Sequence, residues 1–417
     1  MKNLFQGTAA EVLKLRQFRY FLAYRFVMTA ATIMQSVIVG WHLYSITHDV
    51  LSLGMIGLTE VIPQVSVSLF AGHFIDRWNR KKIIVYTTGL LLVGSLILFV
   101  YSLPSLNSYE HFGTFPIFVT IFLTGLVRGI LMPAHTALLG QLVPREMLTS
   151  ASTWSSMNWQ IAAVSGPAIG GLIYAVSGSS VSYLSVFILY AVSVYLILQV
   201  NNIRPLSKAA ENEGIFISIQ EGIKYVFKNK ILLGAFSLDM FAVLFGGAVA
   251  VLPVFASDIL KTGPLGLGLL RGCPSIGAMI MSVYLMTNPP LRNTGKKLFY
   301  CVAGFGLCMI AFALSANIYL SAFVLILSGA FDNVSVIVRA SVLQIYTPDE
   351  MKGRVASVNS IFIGSSNELG AFESGLTAKL MGLIPSVIFG GTMTLIVVAV
   401  IAAKSKVLRN LSLKDSY

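Results

Sequence analysis

Apolar stretches long enough to cross a bilayer recur along almost the whole chain, with little between them. They run over 17–47, 51–75, 83–103, 115–142, 147–177 and 179–200. After a polar interruption they resume over 231–260, 264–287, 298–316, 318–345, 354–382 and 383–403. A membrane-crossing helix needs about 20 predominantly apolar residues, and in lipid its backbone groups must be satisfied internally. The pattern therefore predicts an all-α membrane protein with twelve transmembrane helices. The joints at Ser177-Gly178-Ser179 and near Gly382 are cut on length alone. Composition agrees: 56% of the 417 residues are hydrophobic and 11% charged, against about 25% charged in a soluble domain. So few charges cannot cover a water-facing surface, which excludes a soluble enzyme, a disordered scaffold and a nucleic-acid reader.

The charges orient the bundle. With the N-terminus inside, the inner segments and the inner ends of the spans beside them hold 23 of the 29 Lys and Arg residues, and the outer loops hold only Lys261. The remaining basic residues, Arg25, Arg128, Arg271, Arg339 and Lys379, lie within spans. This is a strong positive-inside signal. It needs an even number of spans and puts both termini in the cytoplasm of a multi-pass cell membrane protein. The net charge of +12 is then a topology signature, so no nucleic acid partner is implied. Cys273, Cys301 and Cys308 sit in apolar runs and form no disulfide framework.

The chain repeats itself. Pro144-Arg145-Glu146-Met147 matches Pro348-Asp349-Glu350-Met351 at an offset of 204, which also sets Gly125 on Gly329, Gly166 on Gly370 and Gly171 on Gly375. An offset of 211 sets Gly57 on Gly268 and Pro63 on Pro274. The organisation is an N-terminal six-helix half (1–200), a cytoplasmic linker (201–230) and a C-terminal six-helix half (231–417). Parallel repeats of this kind are used by secondary transporters, with the substrate site near the midplane between the halves. In the linker, Phe216, Ile219, Ile223 and Val226 recur at helical spacing among Gln220, Glu221, Lys224 and Lys228, which predicts an amphipathic helix on the inner membrane face, a linker packed against cytoplasmic loops rather than a regulatory element.

The segment Gly72-His73-Phe74-Ile75-Asp76-Arg77-Trp78-Asn79-Arg80-Lys81-Lys82 resembles the signature between spans 2 and 3 of the major facilitator superfamily. Asn79 stands where that signature has Gly, and Asn also tolerates a left-handed turn. Gly166-Pro167-Ala168-Ile169-Gly170-Gly171 in span 5 resembles the core of the motif associated with exporters and antiporters, without its upstream Gly, since position 162 is Ala. Thr347–Arg354 together with Ser366–Gly375 resembles the bacterial branch that contains the enterobactin exporter and many efflux proteins.

The resemblance implies a major facilitator fold and alternating access. It implies that Asp76 latches the halves against the helix N-terminus of span 11, since helix N-termini carry partial positive charge. Arg80 belongs to the same basic loop, and Arg77 would seek Glu146. Gly72, Gly166, Pro167, Gly170 and Gly171 would serve gating, as a hinge or a tight contact between halves.

Charges at bilayer depth are costly and normally pair or face a wet cavity. Away from the ends of the spans, five acids, Glu60, Asp239, Asp332, Glu368 and Glu373, balance the five bases there. The repeat sets Arg128 on Asp332, His135 on Arg339 and Glu60 on Arg271, so equivalent sites tend to carry opposite charge. In the superfamily, spans 1, 4, 7 and 10 line the cavity. The resemblance thus implies a wall with Arg25 and Arg128 facing one with Asp239 and Asp332. Asp239 and Asp332 are the expected proton-coupling or substrate groups, partnered by Arg128 and Arg25. Arg339 and Arg25 also have the reach to snorkel inward. A static set of ion pairs is the structural alternative. Glu368 and Glu373 point to different sides of span 11, with Glu60 and Lys379 as candidate neighbours, and Arg271 completes the set. Tyr24 and Phe241 are placed to stack on a planar or amphipathic ligand. Trp41 and Tyr44 read as interface anchors.

No H-E-x-x-H, Walker A or CxxC motif is present, and the five histidines show no metal-ligand spacing, so neither enzyme chemistry, nor a metal, nor a cofactor is expected. The functional expectation is a monomeric, proton-coupled exporter of a small amphipathic organic molecule of siderophore or drug type. A facilitator or importer of a metabolite, metal chelate or lysolipid is the nearest alternative. A non-transporting membrane sensor or scaffold is the alternative of a different class.

Overall fold

The computed structural model describes residues 11–201 and 215–413, apart from the side chains at 69, 72–74, 76, 77, 145, 215–219, 349 and 357. The long helices are α1 (Arg16–Thr47), α2 (Val50–Arg77), α3 (Arg80–Tyr101), α4 (Phe115–Leu142), α5 (Leu148–Leu198) and the linker helix α6 (Ile215–Lys228). They continue with α7 (Lys230–Gly246), α8 (Gly263–Thr287), α9 (Thr294–Ala313), α10 (Ile318–Tyr346), α11 (Lys352–Met381) and α12 (Leu383–Lys404). Among the described residues there is no strand, and ten helices are long and apolar enough to cross a membrane. The chain is a multi-pass membrane protein.

Two of these helices do not fit the simple rule of one apolar helix per crossing. α5 has 51 residues, roughly 76 Å at 1.5 Å per residue, against about 30 Å of hydrocarbon. It is broken at Gly178, whose φ of 74° and ψ of −171° lie in a region open essentially to glycine alone. α11 carries Asn367, Glu368, Glu373 and Lys379 and is not among the ten. Gly382, with φ 93° and ψ 160°, separates it from α12. Gly178 and Gly382 are 204 residues apart, so both joints that length alone had to place are made by equivalent glycines.

The repeat is visible in detail. One-turn 3-10 helices at Arg145–Met147 and Asp349–Met351 precede α5 and α11. Met147 N donates to Pro144 O and Met351 N to Pro348 O, at 3.0 and 2.9 Å. Gly129 of α4 lies against the backbone of Gln64 in α2, and Gly329 of α10 against that of Pro274 in α8.

By contacts the chain divides into two units. The first comprises residues up to 43 and 62–211; the second comprises 44–61 and 212 onward. α2 therefore starts in the second unit and ends in the first. The core of the second unit includes Phe236, Leu238, Val338, Val342 and Val355, closed by Val226 of the linker helix and Leu408 of the tail.

Candidate functional site

In the second unit, Asp239 of α7 forms a salt bridge with Arg339 of α10. Both are buried, at 6% and 5% exposure, so the pair is withdrawn from solvent and its charges must neutralise one another. Asp332 lies seven residues before Arg339, on the same face of α10. Asp239, Asp332, Ser335, Ala242, Val302, Phe305 and Phe331 line a cavity of about 10 Å³, a size that holds a single water. Asp332 has no hydrogen-bond or ion-pair partner among the described residues. The partner of Asp239 is thus Arg339 of its own unit, a residue the sequence also allowed to snorkel inward. Phe241 is partly exposed and stacks on Phe245 at 6.5 Å between ring centres.

In the first unit the equivalent position is neutral. Tyr24 of α1, wholly buried, has its hydroxyl 2.9 Å from His135 Nε2 and 3.0 Å from Thr88 Oγ1. Since His135 is equivalent to Arg339, each unit ties its fourth helix at this position to its first: histidine to tyrosine in one, arginine to aspartate in the other. The Tyr24 ring, expected from sequence to stack on a ligand, lies edge-on to His135 at 5.5 Å between centres. Arg25 acts electrostatically on both Tyr24 and His135. Arg25 and Arg128 are half-buried in this unit.

A second polar set gathers around residues 44–61. Glu60 of α2 and Glu368 of α11 both act electrostatically on Arg271 of α8, so the repeat-related Glu60 and Arg271 meet in one cluster. Lys379 Nζ is 2.6 Å from Asp49 Oδ1; its partner is neither Glu368 nor Glu373, the acids expected from sequence. Glu373 is half-buried beside Ser374, whose hydroxyl donates to Gly247 O at 2.8 Å. Tyr44 departs from the expected interface anchor: it is buried, and its hydroxyl donates to Asp258 Oδ2 at 2.6 Å. Gly54 packs on the Cα of Gly375 and Gly57 on Ala371 and the Glu368 carbonyl. These close approaches let backbones touch where any larger side chain would separate them.

The gating motifs resolve in part. The side chains of Gly72, Asp76 and Arg77 lie outside the described residues, so the Asp76 latch and the pairing of Arg77 with Glu146 stay expectations; Glu146 is exposed. Arg80 Nη1 donates to Ala137 O at 3.1 Å, which fastens the start of α3 to α4. Asn79 corrects its expectation. Its φ of −65° and ψ of 115° are extended, and its Oδ1 accepts from Lys82 N; it caps α3, a role Asn fills well, and needs no left-handed turn. Gly166 lies against Ala30 O and Gly170 against Met34, both in α1. The tight contact of this motif is thus made within the first unit. Gly370, equivalent to Gly166, likewise lies against the Val243 and Leu244 carbonyls of α7. Pro167 and Gly171 are buried in α5.

Comparison with known proteins follows the same lines. Residues 8–416 match the transmembrane secretion effector family of the major facilitator superfamily. The chain belongs to that family. Among its relatives is the staphyloferrin A transporter of Staphylococcus aureus, 21% identical over 92% of this chain and 94% of the relative. The macrolide efflux protein A of Streptococcus pyogenes is 22% identical over 93% and 95%. The enterobactin exporter of Shigella dysenteriae is 24% identical over 91% and 89%. A solved POT family transporter in complex with 5-aminolevulinic acid superposes with a TM-score of 0.77 at 13% identity, over 94% of this chain and 96% of that one. The nucleoside transporter NupG gives 0.71 at 13% identity, over 93% and 99%. These likenesses show the fold. The family is one of transporters.

Asp239, Asp332 and Arg339 of the sequence-predicted set come together, as do Glu60, Arg271 and Glu368. Sequence reasoning missed the roles of Asp49, Tyr44 and Asp258. Their only signal was polar character at the ends of spans, which every loop shares.

Proposed function

We propose that this transporter works by alternating access with twelve crossings and both termini cytoplasmic, and exports a small amphipathic organic molecule in exchange for protons. The breaks at Gly178 and Gly382 support twelve crossings, because they divide α5 and separate the polar α11 from α12. The 23-to-1 distribution of basic residues supports the orientation. The relatives' names, a staphyloferrin A transporter, a macrolide efflux protein and an enterobactin exporter, support an organic cargo and the outward direction.

The observation that carries the coupling mechanism is Asp332. Its carboxyl lines a water-sized cavity beside a carboxylate already neutralised by Arg339. A carboxyl group takes up a proton when its surroundings are dry and releases it when water or a cation reaches it. Alternating access changes those surroundings. Asp332 is the proton carrier in this reading, and the Asp239–Arg339 pair fixes the cavity beside it.

Vesicles reconstituted with the protein and given a pH gradient test this with a labelled macrolide and with enterobactin as probes. Asp332→Asn is expected to lose gradient-driven accumulation by at least about tenfold, the scale of a general acid–base group, while keeping downhill exchange. Full accumulation by Asp332→Asn would remove Asp332 from the mechanism. Movement down the probe gradient that ignores pH would favour the facilitator.

A further inference from the structure

Over residues 220–228 the linker helix α6 has three faces. One face docks on its own unit: Gly222 lies against the Arg354 carbonyl, Val226 is buried, and Tyr225 donates from its hydroxyl to Tyr346 O at 2.8 Å. Glu221, at one edge of that face, is salt-bridged to Arg354. At about 100° per residue, the next arc carries Ile223 and Phe227. Both are exposed, Phe227 at 59%. The arc beyond it carries Lys224 and Lys228, also exposed, and Lys230 follows at the start of α7. Among the described residues none of these three lysines has a carboxylate within ion-pair distance.

An apolar edge adjoining a basic edge, on a helix already held by its third face, does not fit a protein surface in contact with water alone. An exposed Phe and Ile one turn apart gain from burial in an acyl layer. The lysines beside them then stand at headgroup level, where each is attracted by anionic lipid. We propose that α6 is a binding site for anionic phospholipid. Ile223 and Phe227 enter the acyl boundary, and Lys224, Lys228 and Lys230 hold the phosphodiester headgroup. Because Tyr225 and Glu221 grip the end of α10 and the start of α11, the bound lipid fixes the level of those helices in the membrane. The inference stands whether or not Asp332 carries protons.

The test needs no transport substrate. Full-length protein in detergent is titrated with phosphatidylglycerol, with phosphatidylcholine and with inorganic phosphate, and bound lipid is counted by native mass spectrometry. Phosphatidylglycerol is expected to bind more tightly than phosphatidylcholine and to resist competition by phosphate. K224Q/K228Q is expected to weaken phosphatidylglycerol about 30-fold, the effect of two lysines at a charged surface, and to leave phosphatidylcholine unchanged. K224Q alone should weaken it about fivefold, a milder change that guards against misfolding of the double variant. In mixed vesicles, a photoreactive benzoylphenylalanine in place of Phe227 is expected to cross-link to lipid. Equal affinity for the two lipids, affinity untouched by the lysine changes, displacement by inorganic phosphate, or a photoprobe that captures no lipid would each overturn the proposal.

Discussion

Asp49 sits in the turn between α1 and α2, and its carboxylate takes hydrogen bonds from Lys379, from the Ser52 hydroxyl and from Ser52 N. The Lys379 ammonium, foremost, holds this carboxyl below the usual carboxylate range. A group whose folded pKa is depressed contributes stability above its unfolded value, near pH 4, and loses it as the pH falls through the folded value. Lys379 is more than half exposed, and such pairs contribute at most about 1 kcal/mol. Asp49→Asn is therefore expected to lower the thermal midpoint slightly at pH 7, with the two proteins converging as the pH is taken well below about 4. An equal difference at all pH values would remove the pair as its cause. The depressed pKa belongs to a contact between residues 330 positions apart, which no local pattern announces.

At the scale of elements, glycine decides where helices end and how near they come. Gly178 interrupts α5 in a conformation that costs other residues about 1–3 kcal/mol, and nothing crowds its Cβ position. Gly178→Ala is expected to lose about that much stability in detergent unfolding with little change elsewhere. Gly375 is the contrasting case. A Cβ there would meet the Gly54 backbone at 2.5–2.7 Å, so Gly375→Val is expected to push α11 from α2 and cost about 1–3 kcal/mol as overpacking. Detergent unfolding of Gly375→Val beside the unchanged protein measures that loss. Much of this level was legible in the sequence. The apolar runs predicted most span limits to within a few residues, because each crossing must be apolar over bilayer thickness. The matched glycines were visible too, but Gly166 and Gly370 could not be assigned to contacts within a unit, since spacing says nothing about which helix lies opposite. Asn79 was misread for a related reason: cap and left-handed turn favour the same residue type.

For the whole molecule, the repeat makes two units of like architecture and unlike chemistry. His135, bonded to Tyr24 in one, is equivalent to Arg339, paired with Asp239 in the other, and Asp332, without an ion-pair partner among the described residues, belongs to the second. A topology map tests the twelve-crossing proposal. Reporters inserted at 178 and 382 are expected to be reached from outside the cell, and reporters at 79, 230 and 405 from inside. Accessibility of 178 and 230 from the same side would remove the division of α5 into two crossings.

The sequence by itself determined that the chain is a membrane bundle, where its long apolar helices lie and that its motifs repeat. These follow from the cost of placing charge and unpaired backbone in lipid, which acts on every residue according to its type. The family resemblance could also be read there, from short motifs fixed in spacing. Only the tertiary structure decided the partners. That Asp239 meets Arg339, that Glu60 and Glu368 share Arg271, and that residues 44–61 pack with the second unit depends on which helix faces lie opposite one another. Opposite charges in equal number permit many pairings of similar energy, and three-dimensional packing selects one.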